Sequence, residues 1–136
     1  MIEVNRFDIN DNNFQNLLDL YDSVDWAAYT NQPETLFKAL SNSHRIWVAT
    51  IDDQIAGLLR TISDGETIVY LQDILVRPQF QRQGVGSQLM FAFLTEYENV
   101  RQKILLTDNQ ESQKAFYEAC GFQLVEGNLN AFYRFD

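Results

Sequence analysis

The stretch Gln81–Ser87, with the sequence QRQGVGS, places two glycines where the apolar spacing predicts the first turn of a helix. Gly84 and Gly86 have no side chain, so a ligand could approach the backbone closely there. The first N–H groups of a helix have no partner within the helix, and the helix dipole adds positive potential. Arg77 and Arg82 add positive charge nearby in the sequence. We therefore predict an anion-binding cradle suited to a phosphate-bearing ligand.

Two common phosphate-binding motifs do not match this stretch. A dinucleotide-binding unit would have a third glycine near position 89, which is Leu89, and an early parallel βαβ unit. A P-loop would need the triplet Gly-Lys-Ser/Thr, which is absent. A structural alternative stays open, in which Gly84 and Gly86 only permit a tight turn and close packing of the helix on a sheet.

The elements that would position this stretch can be predicted from the hydrophobic periodicity. An opening strand, IEVNRF, precedes two helices, the second of which has Pro33 in its first turn. Three apolar runs, RIWVATI, QIAGLLRTI and TIVYLQDILV, are separated by short turn sequences and predict three antiparallel strands. A largely buried helix follows Pro78, with Val85, Leu89 and Phe93 spaced four apart.

The remaining sequence predicts a short strand at KILLT, a helix ended by Gly121, and a final hairpin, FQLVEGNLNAFYRF, about a Gly-Asn turn. The predicted element order is β-α-α-β-β-β-α-β-α-β-β. We expect an α/β fold with a mixed, mostly antiparallel central sheet flanked by about four helices. Residues 1–136 are predicted to form a single domain.

Composition and charge exclude several classes of protein. The chain has 19 acidic and 10 basic residues, a net charge of −9, which would repel a nucleic acid backbone. No apolar run approaches the roughly 18 residues of a membrane span, and the first residues do not resemble a signal peptide. The single cysteine, Cys120, and the single histidine, His44, argue against a disulfide or a metal centre. We therefore expect a cytoplasmic protein without a metal.

Two motifs resemble those of the Gcn5-related N-acetyltransferase (GNAT) family. Val76-Arg77-Pro78, followed by Gln81-x-x-Gly84-x-Gly86, resembles motif A of that family. The stretch FYEACGF, residues 116–122, resembles its C-terminal motif. The predicted element order is also similar to that of the family, so the resemblance covers nearly the whole chain, although the N-terminal third matches only in outline. The resemblance implies acetyl-CoA as the cosubstrate.

The resemblance also implies how the coenzyme would bind. The strand residues before the cradle would offer backbone groups to the pantetheine arm, with the Ile74 N–H facing the acetyl carbonyl, and the nitrogens of Arg82–Ser87 would bind the pyrophosphate. Many members carry a coenzyme-contacting asparagine seven residues before the conserved tyrosine. Gln110 occupies that position here and Asn109 precedes it, and the choice between the two stays open. The expected set is Ile74, Leu75, Val76, Gln81, Arg82, Gln83, Gly84, Val85, Gly86, Ser87, Asn109 and Gln110.

Tyr117 matches the family tyrosine near the coenzyme sulfur, whose usual role is general acid toward the departing thiolate. A thiol with a pKa near ~8.5 is a stronger acid than a tyrosine near ~10, so a hydrogen bond to the thiolate is the safer description. Some diamine acetyltransferases of the family have two consecutive acidic residues on the central strand and use the first as the base. The matching pair here is Gln72-Asp73, and a glutamine cannot accept a proton in that role, so the base is not carried over directly. Asp73 could act as the base or have a structural role, and deprotonation through water is the alternative.

The acceptor would bind between residues 25–30 and the central strand. In the family, the segment joining the first two helices commonly forms a wall of the acceptor site. Strand alternation places Tyr70, Gln72 and Ile74 on one face and Leu71, Asp73 and Leu75 on the other. Trp26 and Tyr29 could instead be core-packing aromatic residues. The expected substrate-binding residues are Asp25, Trp26, Tyr29, Tyr70 and Gln72.

The sequence thus leads to a specific functional expectation. We expect an acetyl-CoA-dependent N-acetyltransferase in which a bound primary amine, of a small metabolite, a peptide or a lysine, attacks the thioester directly. The competing interpretation is a noncatalytic acyl-CoA-binding sensor. The expected partners are acetyl-CoA and an amine, without nucleic acid or membrane, and a homodimer stays open.

Overall fold

The computed structural model describes all 136 residues, which form two compact units, Met1–Leu106 and Thr107–Asp136. The second unit contains one helix, α5 (Glu111–Ala119). The elements of the first unit, in chain order, are β1 (Ile2–Arg6), α1 (Phe14–Ser23), α2 (Ala27–Thr30), α3 (Pro33–Ser41), β2 (Arg45–Ile51), β3 (Gln54–Ser63), β4 (Ile68–Val76), a short 3-10 turn (Pro78–Phe80), α4 (Val85–Glu96) and β5 (Gln102–Leu105).

The five strands form one mixed sheet in the order β1-β2-β3-β4-β5. The pairs β1–β2, β2–β3 and β3–β4 are antiparallel, whereas β4 and β5 are parallel. The connection from β4 to β5 runs through α4, as a parallel pair requires, because a tight turn cannot join parallel strands. The predicted mixed, mostly antiparallel α/β fold is confirmed.

Helix α4 packs closely on the sheet at a glycine that was not predicted from the sequence. Val85, Leu89 and Phe93 of this helix are buried. Opposite them lies Gly57 of β3, where an added Cβ would come within 2.8 Å of the Leu75 carbonyl oxygen and 3.0 Å of a Val85 methyl carbon. A larger residue would push the helix away, so Gly57 sets the close approach of α4 to the sheet.

Helices α1 and α3 bury their apolar faces in a second part of the core. In each helix the apolar residues recur at helical spacing, so one face is apolar and the outer face is polar. Pro33 occupies the first turn of α3, where a backbone N–H would have no acceptor within the helix, so its absence breaks no helical hydrogen bond. The fully or almost fully buried residues of this cluster are Leu17, Leu20, Tyr21, Leu36, Leu40, Ile46, Val48, Leu58 and Leu75.

Two features of the predicted order are wrong. The structure contains an extra short helix, α2, and the final hairpin does not form strands. Its turn is present, with Gly127 at φ 71° and the Leu129 N–H 3.5 Å from the Glu126 carbonyl. The flanking apolar residues are largely exposed, among them Phe132 at 94% and Phe135 at 81%. Residue alternation predicts which face a strand would bury, but a strand also needs a paired neighbour, and two strands alone are marginally stable.

Candidate functional site

The predicted cradle lies where the chain leaves β4 and enters α4. After Val76 the chain passes through Arg77 and the 3-10 turn, and α4 begins at Val85. Gly84 is the N-cap residue of α4, with φ 90° and ψ 7°. This left-handed conformation is strained for residues with a side chain, which explains the glycine at this position.

Six consecutive backbone N–H groups in this loop have no acceptor within the protein. They belong to residues 82–87, and none of them donates a hydrogen bond to a backbone or side-chain oxygen. The first satisfied donor in the helix is the Gln88 N–H, which lies 3.1 Å from the Gly84 carbonyl oxygen. An added Cβ at Gly84 would meet nothing within 4 Å, so the space in front of the loop is open. The geometry therefore provides a row of free donors for an anion.

Side chains within the loop stabilise this conformation. The Gln81 amide nitrogen donates to the Val76 carbonyl at 3.1 Å, and that of Gln83 donates to the Gln79 carbonyl at 3.2 Å. Arg82 has φ 64°, a rare conformation for a residue other than glycine. Its charge forms no salt bridge, so it is available to an anion.

Strand β4 separates from β5 next to the cradle. The parallel pairing joins residues 68–71 of β4 to residues 102–105 of β5 and then ends. Residues 72–76 continue along β4 without a β5 partner, and this part includes Ile74, Leu75 and Val76. An unpaired strand edge leaves N–H and carbonyl groups free to bind a ligand.

A buried polar cluster lies on β3 and β4. Asp73 is only 3% exposed and forms a salt bridge with Arg60, whose Nε lies 2.5 Å from Oδ2. The Tyr21 hydroxyl donates to the same oxygen at 2.9 Å, and the Tyr29 hydroxyl donates to Oδ1 at 2.9 Å. Asp73 thus accepts three hydrogen bonds, which compensate for the burial of its charge.

The pKa values of the surrounding groups reflect this carboxylate. Burial raises the pKa of Tyr21 and of Tyr29, and the negative charge of Asp73 raises both further. For Arg60, burial disfavours the charge, but the attraction of Asp73 and its hydrogen bond exceed that effect and raise its pKa. Both tyrosines are therefore neutral hydrogen-bond donors at neutral pH, and Arg60 is charged.

This geometry favours the structural role of Asp73 over the role of base. A base must reach the proton that it removes, and both oxygens of Asp73 already accept hydrogen bonds, Oδ2 from buried Arg60 and Tyr21 and Oδ1 from partly buried Tyr29. Arg60 is not among the site residues predicted from the sequence. An arginine inside the apolar run QIAGLLRTI was the signal, because an arginine there would need a buried acidic partner.

The predicted acceptor residues come together in part. The Gln72 amide nitrogen lies 3.2 Å from the Tyr29 hydroxyl oxygen, so the central strand and α2 are in contact. The Trp26 ring packs against Tyr29, with ring centroids 6.1 Å apart. Asp25 is exposed, has φ 60° and forms no salt bridge within the protein. Tyr70 is partly buried, and burial followed by the charge of Asp73 raises its pKa.

Gln72 and Asp73 share a contact that strand alternation does not predict. Their exposure alternates as expected, but both side chains hydrogen-bond to the Tyr29 hydroxyl. The reason is a β-bulge. Thr61 pairs with Leu71 and Arg60 with Asp73, which leaves Gln72 as an extra residue on β4. Bulges redirect side chains in this way, and sequence alternation does not reveal them.

The second unit contains the other predicted site residues. Asn109 and Gln110 precede α5, and Gln110 is its N-cap residue, without a side-chain cap hydrogen bond. Burial raises the pKa of Tyr117, and a hydrogen bond with the Thr107 side chain partly opposes this effect. Burial also raises the pKa of the Cys120 thiol, which disfavours a nucleophilic thiolate.

His44 is partly buried and hydrogen-bonds to another side chain. Its Nδ1 lies 2.8 Å from the Tyr97 hydroxyl, which also lies 2.6 Å from Thr61 Oγ1. Burial is the main cause that lowers the pKa of His44.

No group of three or more histidine, cysteine, aspartate or glutamate side chains has the arrangement of a metal site. None of the helices has the length and apolar character needed to cross a bilayer.

Comparison with protein families identifies the class to which this fold and cradle belong. The sequence matches the acetyltransferase (GNAT) domain over residues 15–131. A GNAT family acetyltransferase from Streptococcus pneumoniae TIGR4 is 31% identical, with 98% of this chain and 100% of that chain covered and a TM-score of 0.80. The chain belongs to the GNAT acetyltransferase family. No curated protein sequence matches it closely enough to count as a relative.

More distant structures share the fold. An aminoglycoside acetyltransferase from an uncultured soil metagenomic sample, in complex with sisomicin, is 22% identical, with 99% of this chain and 97% of that chain covered and a TM-score of 0.74. The acetyltransferase AAC(6')-Iy, in complex with a bisubstrate analogue that contains CoA, is 18% identical, with 100% and 99% covered and a TM-score of 0.76.

Proposed function

We propose that the protein is an acetyl-CoA-dependent N-acetyltransferase that acts on a primary amine. The observation that carries this proposal is the row of six unsatisfied N–H groups at residues 82–87, beside an arginine without an acidic partner. Membership of the GNAT family and the CoA-containing complex of a structural relative also support it. The cradle fits a pyrophosphate because its donors come from the backbone and its front is open.

Each part of the coenzyme would have a place in this chain. The N–H groups of Arg82 to Ser87 would hold the pyrophosphate, and the unpaired edge of β4 at Ile74–Val76 would hold the pantetheine arm. Acetyl-CoA supplies the acetyl group as a thioester, which the bound amine attacks directly. Tyr117 would hydrogen-bond to the sulfur as negative charge develops there, since its raised pKa makes it a poor proton donor.

The amine must lose a proton to react. An alkyl ammonium with a pKa near ~10.4 is neutral in only about one molecule in 2,500 at pH 7. Because Asp73 is enclosed by Arg60, Tyr21 and Tyr29, we propose that the proton leaves through water rather than through this carboxylate.

Thiol release from acetyl-CoA across a library of primary amines tests the proposal. The library should contain small diamines, aminoglycosides and peptides with a free N-terminus or lysine. We expect amine-dependent thiol release with at least one class. Tight acetyl-CoA binding without turnover on any amine would instead support the noncatalytic sensor.

Replacing Gly84 by valine should weaken acetyl-CoA binding at least about tenfold, which corresponds to about 1.4 kcal/mol. The valine would place a branched side chain in front of the free N–H groups and would strain a residue with φ 90°. Titration calorimetry on the folded variant measures the effect. Gly127→Val is the matched control, because Gly127 also has a positive φ and nothing within 4 Å of an added Cβ. If Gly84→Val and the wild-type protein bind acetyl-CoA with equal affinity, Gly84 has only a structural role.

Changes at Asp25 and Trp26 should affect the amine rather than the coenzyme. We expect Asp25→Asn and Trp26→Ala each to raise the KM for the amine by roughly two- to fivefold, because an exposed carboxylate and an aromatic face each contribute up to about 1 kcal/mol to binding a cation. The KM for acetyl-CoA should not change. Steady-state kinetics with each substrate varied in turn measures both values. A rise confined to the KM for acetyl-CoA would remove this segment from the acceptor site.

A further inference from the structure

The Tyr29 hydroxyl connects the buried ion pair to the exposed end of Gln72. It lies 2.9 Å from Asp73 Oδ1, 3.3 Å from Arg60 Nη2 and 3.2 Å from Gln72 Nε2. Asp73 and Arg60 are buried, Tyr29 is partly buried and Gln72 is exposed. The bulge at Gln72 allows two consecutive residues of β4 to reach the same hydroxyl.

The hydrogen atoms in this chain of contacts can be assigned from donor and acceptor chemistry. An ionised Asp73 only accepts, so the single hydroxyl hydrogen of Tyr29 is donated to Oδ1. The guanidinium of Arg60 only donates, so it uses a lone pair of the hydroxyl oxygen. Gln72 must then present its NH2 group to Tyr29, because its carbonyl oxygen would find no hydrogen there. The Oε1 atom of Gln72 is left without a partner in this network.

We infer that Gln72 Oε1 is an oriented hydrogen-bond acceptor for the N–H of the acceptor amine, held in place by Tyr29 and, through it, by the Arg60–Asp73 pair. Gln72 is the first residue of β4 beyond its pairing with β5, so it lies where the strand edge becomes open. This inference rests on the proposed function, because it assigns how the same site recognises its amine. Gln72 contacts substrate, and Tyr29 is a positioning residue.

The chemistry of an amide oxygen suits this task. A carboxylate beside an ammonium stabilises the charged form and opposes loss of the proton that the reaction requires. A neutral amide oxygen accepts an N–H hydrogen bond from either the ammonium or the neutral amine. The structure places the one nearby buried carboxylate, Asp73, against Arg60, where its charge is already compensated. The site therefore favours acceptors that carry a hydrogen-bond donor on the reacting group, as primary amines do.

Nuclear magnetic resonance of the Gln72 side-chain amide tests the orientation without any turnover. In wild type, one amide hydrogen is bonded to Tyr29, and we expect resonances displaced from those of a free glutamine and slowed hydrogen exchange. In Tyr29→Phe these resonances should move to the chemical shifts of a free glutamine side chain. Tyr133→Phe is the control, because Tyr133 is 75% exposed and makes no side-chain hydrogen bond. Unchanged Gln72 resonances in Tyr29→Phe would overturn the inference.

A double-mutant cycle tests the effect on recognition. One neutral hydrogen bond corresponds to about a fivefold change in affinity. We expect Gln72→Ala and Tyr29→Phe each to raise the KM for the amine about fivefold, and the double variant to show no further increase. The KM for acetyl-CoA should stay unchanged. Gln102→Ala, at another exposed glutamine on a strand, should leave both values unchanged.

The outcomes separate this inference from the proposed function. Wild-type turnover with an unchanged amine KM in Gln72→Ala, or with additive effects in the double variant, would overturn the inference alone. Absence of turnover with every amine would overturn the proposed function and the amine-binding part of the inference together. In that case the resonance measurement would still decide whether Tyr29 orients Gln72.

Discussion

Replacing Asp73 by alanine should lower the free energy of unfolding by about 3–5 kcal/mol, the largest effect that we expect from a single substitution. Arg60 would be left as an unpaired charge whose side chain is only 6% exposed. The Tyr21 and Tyr29 hydroxyls would also lose their acceptor. Equilibrium unfolding in urea, followed by circular dichroism, measures the change.

The surface ion pairs of Glu96 provide the matched control. Glu96 lies 3.4 Å from Arg45 and 4.0 Å from Arg6, and its side chain is 34% exposed. Glu96→Ala should therefore lower the free energy of unfolding by no more than about 1 kcal/mol.

A second test removes both partners of the buried pair. Arg60→Met combined with Asp73→Leu should be less destabilising than Asp73→Ala, because it leaves no buried charge unpaired. Equal losses for Asp73→Ala and Glu96→Ala would contradict the buried-pair account.

Replacing Tyr117 by phenylalanine should lower kcat by about 10²-fold while acetyl-CoA affinity stays nearly constant. The hydroxyl matters mainly when negative charge develops on sulfur, so its loss affects the reaction more than ground-state binding. Steady-state thiol release gives kcat, and titration calorimetry gives the coenzyme affinity.

The phenylalanine variant keeps the aromatic packing of Tyr117 with Phe116 and Phe122, whose ring centroids lie 5.2 and 6.2 Å away. We therefore do not expect unfolding of Tyr117→Phe to be the cause of a lower kcat. Tyr133→Phe, in the same unit and largely exposed, should retain wild-type kcat. Wild-type turnover in Tyr117→Phe would remove the proposed role of its hydroxyl.

The cradle and the sheet were predictable because both depend on local sequence patterns. The free N–H groups follow from a helix start with glycines at 84 and 86, and a helix start lacks internal acceptors wherever it occurs. The meander of β2, β3 and β4 follows from apolar runs separated by short turns. Gly84 was singled out because it has no side chain, and its positive φ is a further reason for a glycine at this position.

The buried pair and the bulge depend on contacts between distant residues. Arg60 and Asp73 meet only once β3 and β4 are in register, and nothing local to either residue specifies that register. The bulge at Gln72 shifts the pairing by one residue, which sequence alternation cannot predict. The prediction of a C-terminal hairpin was wrong for a related reason. Its turn at Gly127 is local and forms, whereas its strands would need a paired neighbour.

Transfer of an isotope-labelled acetyl group to an amine would demonstrate the proposed acetyltransferase activity itself. The protein should be incubated with acetyl-CoA labelled in the acetyl group and with the amine that gives the highest thiol release, and the products identified by mass spectrometry. We expect an N-acetylated amine that carries the label, formed by the wild-type protein and at a strongly reduced rate by Tyr117→Phe. Thiol release without label on the amine, or label transfer at equal rates in both proteins, would contradict this expectation.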